Sequence, residues 1–435
     1  MGEAPDDSSG VDPPAPRADI AVLLAFAADA GKQMLESSTS VSETLDRLRR
    51  FLSAVGLGSS ALDATMSSLI ISHWRPGQAV PITMMREVSV TSPRLERLAG
   101  ADALLDQVED GSLELAEAVR RLGALEHAPS AGLFDARLAV PLSVLGWVVF
   151  LDGLDPLTLV VALAATACAL PADRLVRRLG LPRLAATFLV ATLLAAIPNL
   201  LAAVGVSLLL GPAIVGALFP HLPGRALVSS VIDGLANAPL SSISRGIRAV
   251  ATAGFLALGM LLGNSIGAGL GLDYTPDSTS TPIAQALVGA SVGVFGLAVA
   301  WAMPRRQLLP TVAISAAGWA VVAGSTDPPV GRNDWPPYLV AAGLVGCAGA
   351  LASAWQRSSA SIYTGVAILP LVPGFPLYSG MLALAQSDRG AAASALSDTA
   401  VTALAIAIGL AIGLALGRNT ATIACRIVNR HHHSN

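Results

Sequence analysis

Residues 217–229 read ALFPHLPGRALVS, and residues 367–379 read AILPLVPGFPLYS. The two stretches align without a gap at an offset of 150 residues, so that Pro220, Pro223 and Gly224 match Pro370, Pro373 and Gly374. Farther along, Ser229 matches Ser379. We call each stretch a Pro-Gly motif. A proline removes an amide donor and interrupts a helix, so a repeated Pro-x-x-Pro-Gly predicts two equivalent helix breaks in a duplicated chain.

The composition around these motifs indicates a membrane protein. Of 435 residues, 53% are hydrophobic and 13% are charged, whereas a soluble domain carries about 25% charged residues. The mean hydropathy is +0.63. The formal net charge of −3 provides no basic surface, so nucleic acid is not an expected partner. These values exclude an ordinary soluble enzyme and predict a chain that crosses a lipid bilayer several times.

Long apolar runs begin at Arg137, and each Pro-Gly motif comes at or near the fourth run of its half. We predict a mainly α membrane protein with about ten transmembrane helices, preceded by a small α+β cytoplasmic domain. The predicted spans are 137–151, 156–171, 183–198, 200–219, 247–271, 283–302, 309–325, 338–354, 361–382 and 398–417.

The charges of the connecting loops support this count. Loops on one side carry mostly aspartates, such as Asp152 and Asp273, and loops on the other side carry mostly arginines, such as Arg174 and Arg305. Positive loops stay in the cytoplasm. We therefore expect a multi-pass protein of the cytoplasmic membrane with both termini on the cytoplasmic side.

The spacing of the motifs predicts how the two halves are oriented. Five spans separate equivalent elements, and five is odd, so the halves 137–271 and 283–417 are expected to cross the membrane in opposite senses. Inverted repeats of five helices are found in many secondary transporters, whose substrate sites lie near the bilayer midplane where helices are broken. We therefore expect the Pro-Gly motifs to lie on a transport pathway with alternating access.

The segment 225–248 contains the most polar residues between the fourth and fifth spans. Asp233 is a lone acid among apolar residues, where a carboxylate has a raised pKa and can exchange a proton near neutrality. Asn237 and Ser241 are candidate hydrogen-bond partners of a zwitterion, and the Arg245 guanidinium suits a carboxylate. Tyr378 and Ser379 take the corresponding place in the second half. The alternative interpretation is a cytoplasmic amphipathic helix with Asp233 in solvent and Arg245 as a topology anchor.

The N-terminal region has a different composition. Residues 1–16 are acidic and proline-rich, and we expect a disordered tail. Residues 17–128 have helical periodicity at both ends and a predicted hairpin around Arg75-Pro76-Gly77. Residues 418–435 are expected to be a cytoplasmic tail. Asp63, His73 and Glu87 form no known catalytic constellation, so we expect no enzyme activity.

Two other classes of function remain open. The first is a membrane-anchored sensor or scaffold that binds a partner through residues 17–128. The second is an integral membrane enzyme that acts through the segment 225–248. That segment has neither a metal-ligand set nor a nucleophile–base pair. The sequence has no phosphate-binding loop, and we expect no cofactor and no metal.

The order of these parts resembles the threonine/serine exporter family of bacteria. The stretches that carry the resemblance are LLAFAADAGKQMLESSTSVSETLDRLRRFLSAVGL at 23–57, FPHLPGRALVSSVIDGL at 219–235 and ILPLVPGFPLYSGMLAL at 368–384. The family's pattern of an Asp followed twelve residues later by an Arg is met by Asp233 and Arg245. Ser38 and Ser242 stand where the family usually has glycine. The resemblance implies proton-coupled export of small amino acids such as threonine and serine, with substrate, protons and lipid as partners; homo-oligomerisation is left open.

Overall fold

A computed structural model describes residues 17–37, 39–89, 94–127, 133–151, 154–223, 226, 229–230, 233–234, 236, 238–270, 281–325, 335–385 and 388–432. The N-terminal elements are α1 (Arg17–Glu36), α2 (Val41–Ala54), β1 (Ala61–Ala64), β2 (Ser68–His73), β3 (Ile82–Glu87), α3 (Leu95–Glu109) and α4 (Leu115–His127).

The strands form one antiparallel sheet in the order β1-β2-β3. The β2–β3 pairing from Ser68↔Glu87 to His73↔Ile82 confirms the predicted hairpin, whereas β1 was not predicted. Helix α1 covers the sheet, and its Ala27, Ala30 and Met34 are buried.

Helix α2 begins at an N-cap and is tied to α3 by charge. The Ser40 hydroxyl accepts a hydrogen bond from the Glu43 backbone amide at 3.1 Å, which satisfies an amide that the first turn leaves free. The buried Arg47 guanidinium forms ion pairs with Asp102 at 2.7 Å and with Asp106 at 2.5 Å on α3. The first turn of α2 is therefore held in a fixed position relative to the rest of the N-terminal elements.

The following elements are helices. They are α5 (Leu133–Phe150), α6 (Pro156–Arg178), α7 (Arg183–Ala203), α8 (Leu210–Leu218), α9 (Pro239–Gly269), α10 (Ile283–Ala300), α11 (Arg305–Ser325), α12 (Trp335–Gln356), α13 (Ala360–Ala367), α14 (Gly374–Ala385) and α15 (Arg389–His432). Helix α8 is followed by a 3₁₀ helix at Phe219–His221, and α13 by one at Leu369–Leu371.

Among the described residues, seven helices are long and apolar enough to cross a membrane. The bent pair Ala360–Leu371 and Gly374–Gly380, which turns by 48°, is an eighth candidate. The other two predicted positions hold shorter apolar helices, Leu138–Phe150 and Leu210–His221. The protein is thus mostly helical with seven or eight candidate spans, and the predicted count of ten is not confirmed.

Three predicted boundaries were wrong. Helix α7 continues through Pro198 to Ala203, so the predicted break at 198–200 does not exist and α8 starts only at Leu210. Helix α9 begins at Pro239 rather than at residue 247, so Ser241 and Arg245 belong to this helix. Helix α15 continues beyond the predicted span end at residue 417 to His432, because no proline or glycine after Gly417 interrupts its hydrogen bonds.

The helix contacts repeat at the offset of the motifs. Helix α9 packs on α7 and α15 packs on α12, and glycines make both contacts close. A Cβ on Gly263 would lie 2.6 Å from the Ala195 Cβ and 2.8 Å from the Ala196 nitrogen. A Cβ on Gly413, 150 positions later, would overlap the Gly343 carbonyl oxygen. These glycines therefore allow close helix packing at equivalent places of the two halves.

Helices α5 and α10 occupy equivalent places 150 residues apart in the sequence. They pack directly on each other. The Ser143 hydroxyl donates a hydrogen bond to the Gly293 carbonyl at 2.9 Å, across 150 residues. A Cβ on Gly146 would overlap the Gly293 nitrogen, and one on Gly296 would overlap the Ser143 nitrogen. Residues later in α5 contact residues earlier in α10, so the two helices run antiparallel.

Candidate functional site

The centre of the site is a buried ion pair between Asp233 and Arg245. Asp233 is 0% exposed and Arg245 is 5% exposed. The Asp233 Oδ2 lies 2.8 Å from the Arg245 Nε. Asp233 is therefore not the lone carboxylate predicted from the sequence, because the first turns of α9 carry the guanidinium back to it.

The N-terminus of α2 closes over this pair. The Ser42 hydroxyl donates a hydrogen bond to Asp233 Oδ1 at 3.2 Å, and the backbone amides of Val41 and Ser42 also face the carboxylate. The Arg245 Nη2 donates to the Thr39 carbonyl at 2.8 Å. The positive end of the α2 dipole thus faces the Asp233 carboxylate, and the Thr39 carbonyl, just before α2, faces the Arg245 guanidinium.

The next residue of α2 reaches the second half of the chain. The Glu43 carboxylate accepts hydrogen bonds from the Ser359 hydroxyl at 2.8 Å and from the Ser361 hydroxyl, and it faces the Ser361 backbone amide at 3.4 Å. Glu43 therefore acts as an N-cap of α13 from another part of the chain. Burial raises the pKa of Glu43, and the Arg418 charge and the hydrogen bonds from Ser359 and Ser361 oppose that rise.

The two Pro-Gly motifs form matching breaks that meet each other. Pro220 lies in the 3₁₀ helix after α8 and Pro370 in the one after α13, and Pro223 and Pro373 follow these turns. At the second motif a Cβ on Gly374 would lie 2.7 Å from the Leu222 side chain of the first motif. The sequence prediction of a break at each motif is confirmed for the described residues.

Aromatic rings fix the first break against α5 and α11. Trp147 stacks on Phe219 with ring centroids 4.0 Å apart, and Phe150 meets Trp319 edge-on at 4.8 Å. The geometry of the break is thus set by packing between elements far apart in sequence.

The remaining predicted site residues are only partly brought together. Ser241 is buried near the start of α9. Tyr378 is buried in a small apolar cavity shared with Met260 and Leu222, and the Ser379 hydroxyl donates to the Phe375 carbonyl at 3.1 Å within α14. The described contacts of the Asp233–Arg245 pair include neither Tyr378 nor Ser379. Gly224 and Asn237 lie outside the described residues.

A cavity of about 910 Å³ opens between the N-terminal elements and the second half. Its lining includes Glu43, Arg47, Asp106, Ser358 and Arg418, so it carries both signs of charge. In the part of the chain that the structure describes, no three His, Cys, Asp or Glu side chains form a group suited to a metal ion.

Sequence reasoning missed the contribution of α2. Thr39, Ser42 and Glu43 touch residues far along the chain, and Ser42 and Asp233 are separated by 191 positions. A local signal did exist, since Ser40 and Glu43 have the spacing of a capping box. The Glu43 side chain caps α13 instead of completing that capping box.

Comparison with known proteins identifies the family of the chain. A family model described as "Putative threonine/serine exporter" matches residues 25–267, and one described as "Threonine/Serine exporter, ThrE" matches residues 286–416. No solved structure matches the chain.

Two curated relatives cover most of the chain. A "Probable threonine/serine exporter" of Mycobacterium tuberculosis (strain ATCC 25618 / H37Rv) is 24% identical over 411 residues, which cover 86% of this chain and 72% of that protein. A "Threonine/serine exporter" of Corynebacterium glutamicum is 25% identical over 402 residues, which cover 87% and 80%. The first family-model match includes the ion pair and the first Pro-Gly motif, and the second match includes the second motif. The chain belongs to the threonine/serine exporter family.

Proposed function

We propose that this chain is a secondary active transporter that exports small neutral amino acids, such as threonine and serine, across the cytoplasmic membrane in exchange for protons. The relatives are named as threonine/serine exporters, which supports the substrate class. Seven or eight candidate spans support the membrane location.

One observation carries the proposal, namely the chemistry of the groups that hold the ion pair. Amide N–H groups and a hydroxyl face Asp233, and a carbonyl oxygen faces Arg245. An amino acid zwitterion offers the same complement, because its ammonium group donates and its carboxylate accepts. The pair is therefore suited to an amino acid whenever the Thr39–Ser42 segment moves away.

We infer that the halves 137–271 and 283–417 are inverted repeats. The support is the antiparallel contact between α5 and α10, in which Gly146 meets Gly293 and Ser143 meets Gly296. Adding 150 to the first-half member of each pair gives the second-half member of the other pair. Such reciprocal contacts are the mark of a two-fold axis, here perpendicular to both helices and so in the membrane plane.

Coupling to protons follows from competition at Asp233. A proton and the ammonium group of the substrate both need the same carboxylate, so they bind in alternation. A carrier that moves outward with substrate and returns with a proton is an antiporter. Arg245 holds the substrate carboxylate by charge-assisted hydrogen bonds, and rocking of the halves around the two Pro-Gly breaks provides alternating access.

Residues 17–128 form a cytoplasmic domain in this proposal, and the first turn of α2 acts as its gate. Thr39 and Ser42 cover the ion pair of the first half, and Glu43 caps α13 of the second. The arginine-rich loops support a cytoplasmic position of this domain and of both termini. Release of α2 opens the pair toward the cytoplasmic substrate.

A counterflow assay in proteoliposomes tests the proposal. Vesicles loaded with unlabelled threonine or serine are diluted into labelled amino acid, with and without a pH gradient. We expect accumulation of label for threonine and serine and stimulation of net transport by the gradient. Absence of exchange with every amino acid of a panel would contradict the transporter and favour the sensor or scaffold.

A further inference from the structure

Helix α11 carries a row of buried polar side chains. Gln307, Ser315 and Trp319 recur on one helix face at multiples of four residues, and we call these three residues the α11 stripe. They are 0%, 1% and 5% exposed. From Gln307 to Trp319 the stripe extends for about 18 Å along the helix.

Two polar atoms of the stripe make no hydrogen bond in the described part of the chain. They are the Ser315 hydroxyl oxygen and the Trp319 indole nitrogen, whereas the Gln307 amide faces the Tyr363 hydroxyl. Thr311 lies between them but differs, because its hydroxyl donates to the Gln307 carbonyl at 2.7 Å. A buried polar group without a partner is costly, so these two atoms on one face require a ligand or water.

The stripe continues a polar route that starts at the 910 Å³ cavity. Ser358 lines that cavity, and its hydroxyl lies 3.0 Å from the Tyr363 hydroxyl. Tyr363 in turn lies beside the Gln307 side chain. Farther along, Trp319 reaches Phe150, which also packs against Phe219 of the first Pro-Gly motif. The stripe therefore connects the cavity to the region where the two motifs meet.

The two halves differ at this face. The positions 150 residues earlier, on α6, are Leu157, Ala165 and Ala169, all apolar. Conversely the Asp233–Arg245 pair of the first half corresponds to Ala383 and Ala395. The charged groups thus belong to one half and the neutral hydrogen-bonding groups to the other.

We propose that the α11 stripe is the part of the transport pathway that recognises the side-chain hydroxyl of the exported amino acid. An amide, a hydroxyl and an indole N–H bind a neutral hydroxyl without the cost of burying a charge. A site built to hydrogen-bond a hydroxyl rejects the analogue that lacks it, because its own polar groups then stay unpaired. This inference rests on the proposed export function.

Valine and alanine test it, since they match threonine and serine in size but lack the hydroxyl. Each unlabelled amino acid competes with labelled threonine in counterflow, and the half-inhibiting concentrations are compared. For the wild-type protein we expect threonine to compete at least tenfold better than valine. For Ser315→Ala we expect this preference to fall by about tenfold, with valine competition unchanged. Gln307→Leu and Trp319→Phe should shift the ratio in the same direction.

The matched control is Thr311→Val on the same helix face, because the Thr311 hydroxyl is already paired. Its threonine-to-valine ratio should equal that of the wild type. Equal loss of threonine and valine competition in Ser315→Ala, or an unchanged ratio, would overturn the role of the stripe while counterflow itself continues. Absence of counterflow in the wild-type protein would overturn the proposed function and this inference together.

Discussion

Asp233 is fully buried, and every described contact of its carboxylate is to a donor or a cation. Removing one member of a buried ion pair leaves the other charge uncompensated, which costs about 3–5 kcal/mol. Residues Thr39 and Ser42 hold the pair in place, and the proposed mechanism requires α2 to leave before a zwitterion can bind there. In the proposed mechanism, the side chains of Asp233 and Arg245 bind the substrate.

Replacing Asp233 with Asn removes the carboxylate for which proton and ammonium compete. We expect Asp233→Asn to insert into the membrane but to lose stimulation of efflux by a pH gradient. Measurement of gradient-driven threonine efflux from proteoliposomes checks this, with Asp398→Asn on α15 as the control. Unchanged gradient-driven efflux in Asp233→Asn would remove Asp233 from the mechanism.

Glu43 gives the docking of α2 a pH dependence. Burial against α13 raises its pKa, with Asp102 adding to the rise and Arg418 opposing it. A carboxyl whose pKa is higher when docked favours docking below its free pKa, and this contribution is lost as the pH rises through the raised value. We therefore expect α2 to undock more readily as the pH increases above the usual carboxyl range.

Hydrogen exchange of the α2 amides, expressed as protection factors at several pH values, measures this effect. Glu43→Gln stays neutral and should make protection independent of pH. Asp46→Asn, on the exposed side of the same helix, should behave as the wild type. A wild-type protection that does not fall with rising pH would contradict the role of Glu43.

At the scale of elements, close helix pairs hold each half together. Gly263 lets α9 approach α7, whereas a Cβ on Gly254 of the same helix would meet nothing within 4 Å. We expect Gly263→Ala to destabilise the protein by about 1–3 kcal/mol through overpacking. Gly254→Ala should be neutral or slightly stabilising, since alanine favours helix more than glycine.

Thermal unfolding in detergent, followed by tryptophan fluorescence, distinguishes the two variants. Gly413→Ala on α15 should resemble Gly263→Ala, because it occupies the same place in the second half. An equal melting temperature for Gly263→Ala and Gly254→Ala would show that the glycine contact does not matter for stability.

The elements also show what sequence can and cannot predict. The Pro-Gly motifs predicted both breaks, because proline acts locally on the backbone. The hairpin at Arg75-Pro76-Gly77 was predicted for the same reason. The contacts of Ser42 with Asp233 and of Glu43 with Ser359 depend on how distant elements pack, and no local pattern contains that information. The α11 stripe was visible as a four-residue spacing, but only burial without partners distinguishes it from ordinary core residues.

At the scale of the whole molecule, the account joins three parts. One turn of α2 contacts both halves, the first half supplies the charged pair, and the second half supplies the neutral stripe. Equivalent contacts such as those of Gly263 and Gly413 recur at the offset of 150 residues. Such recurring contacts are consistent with the proposed alternating access between two halves.

The orientation of the halves is the central claim, and cysteine labelling tests it most directly. Leu154 and Arg305 are exposed and follow the equivalent helices α5 and α10. Each is replaced by Cys in a background without Cys168, Cys347 and Cys425, and reacted with a membrane-impermeant maleimide in cells and in inside-out vesicles. Ser53→Cys on α2 reports the cytoplasmic side.

The account predicts that Leu154→Cys reacts from outside the cell, and that Arg305→Cys reacts only in inside-out vesicles, as Ser53→Cys does. Reaction of both Leu154→Cys and Arg305→Cys from the same side of the membrane would contradict the inverted halves and the alternating-access mechanism built on them.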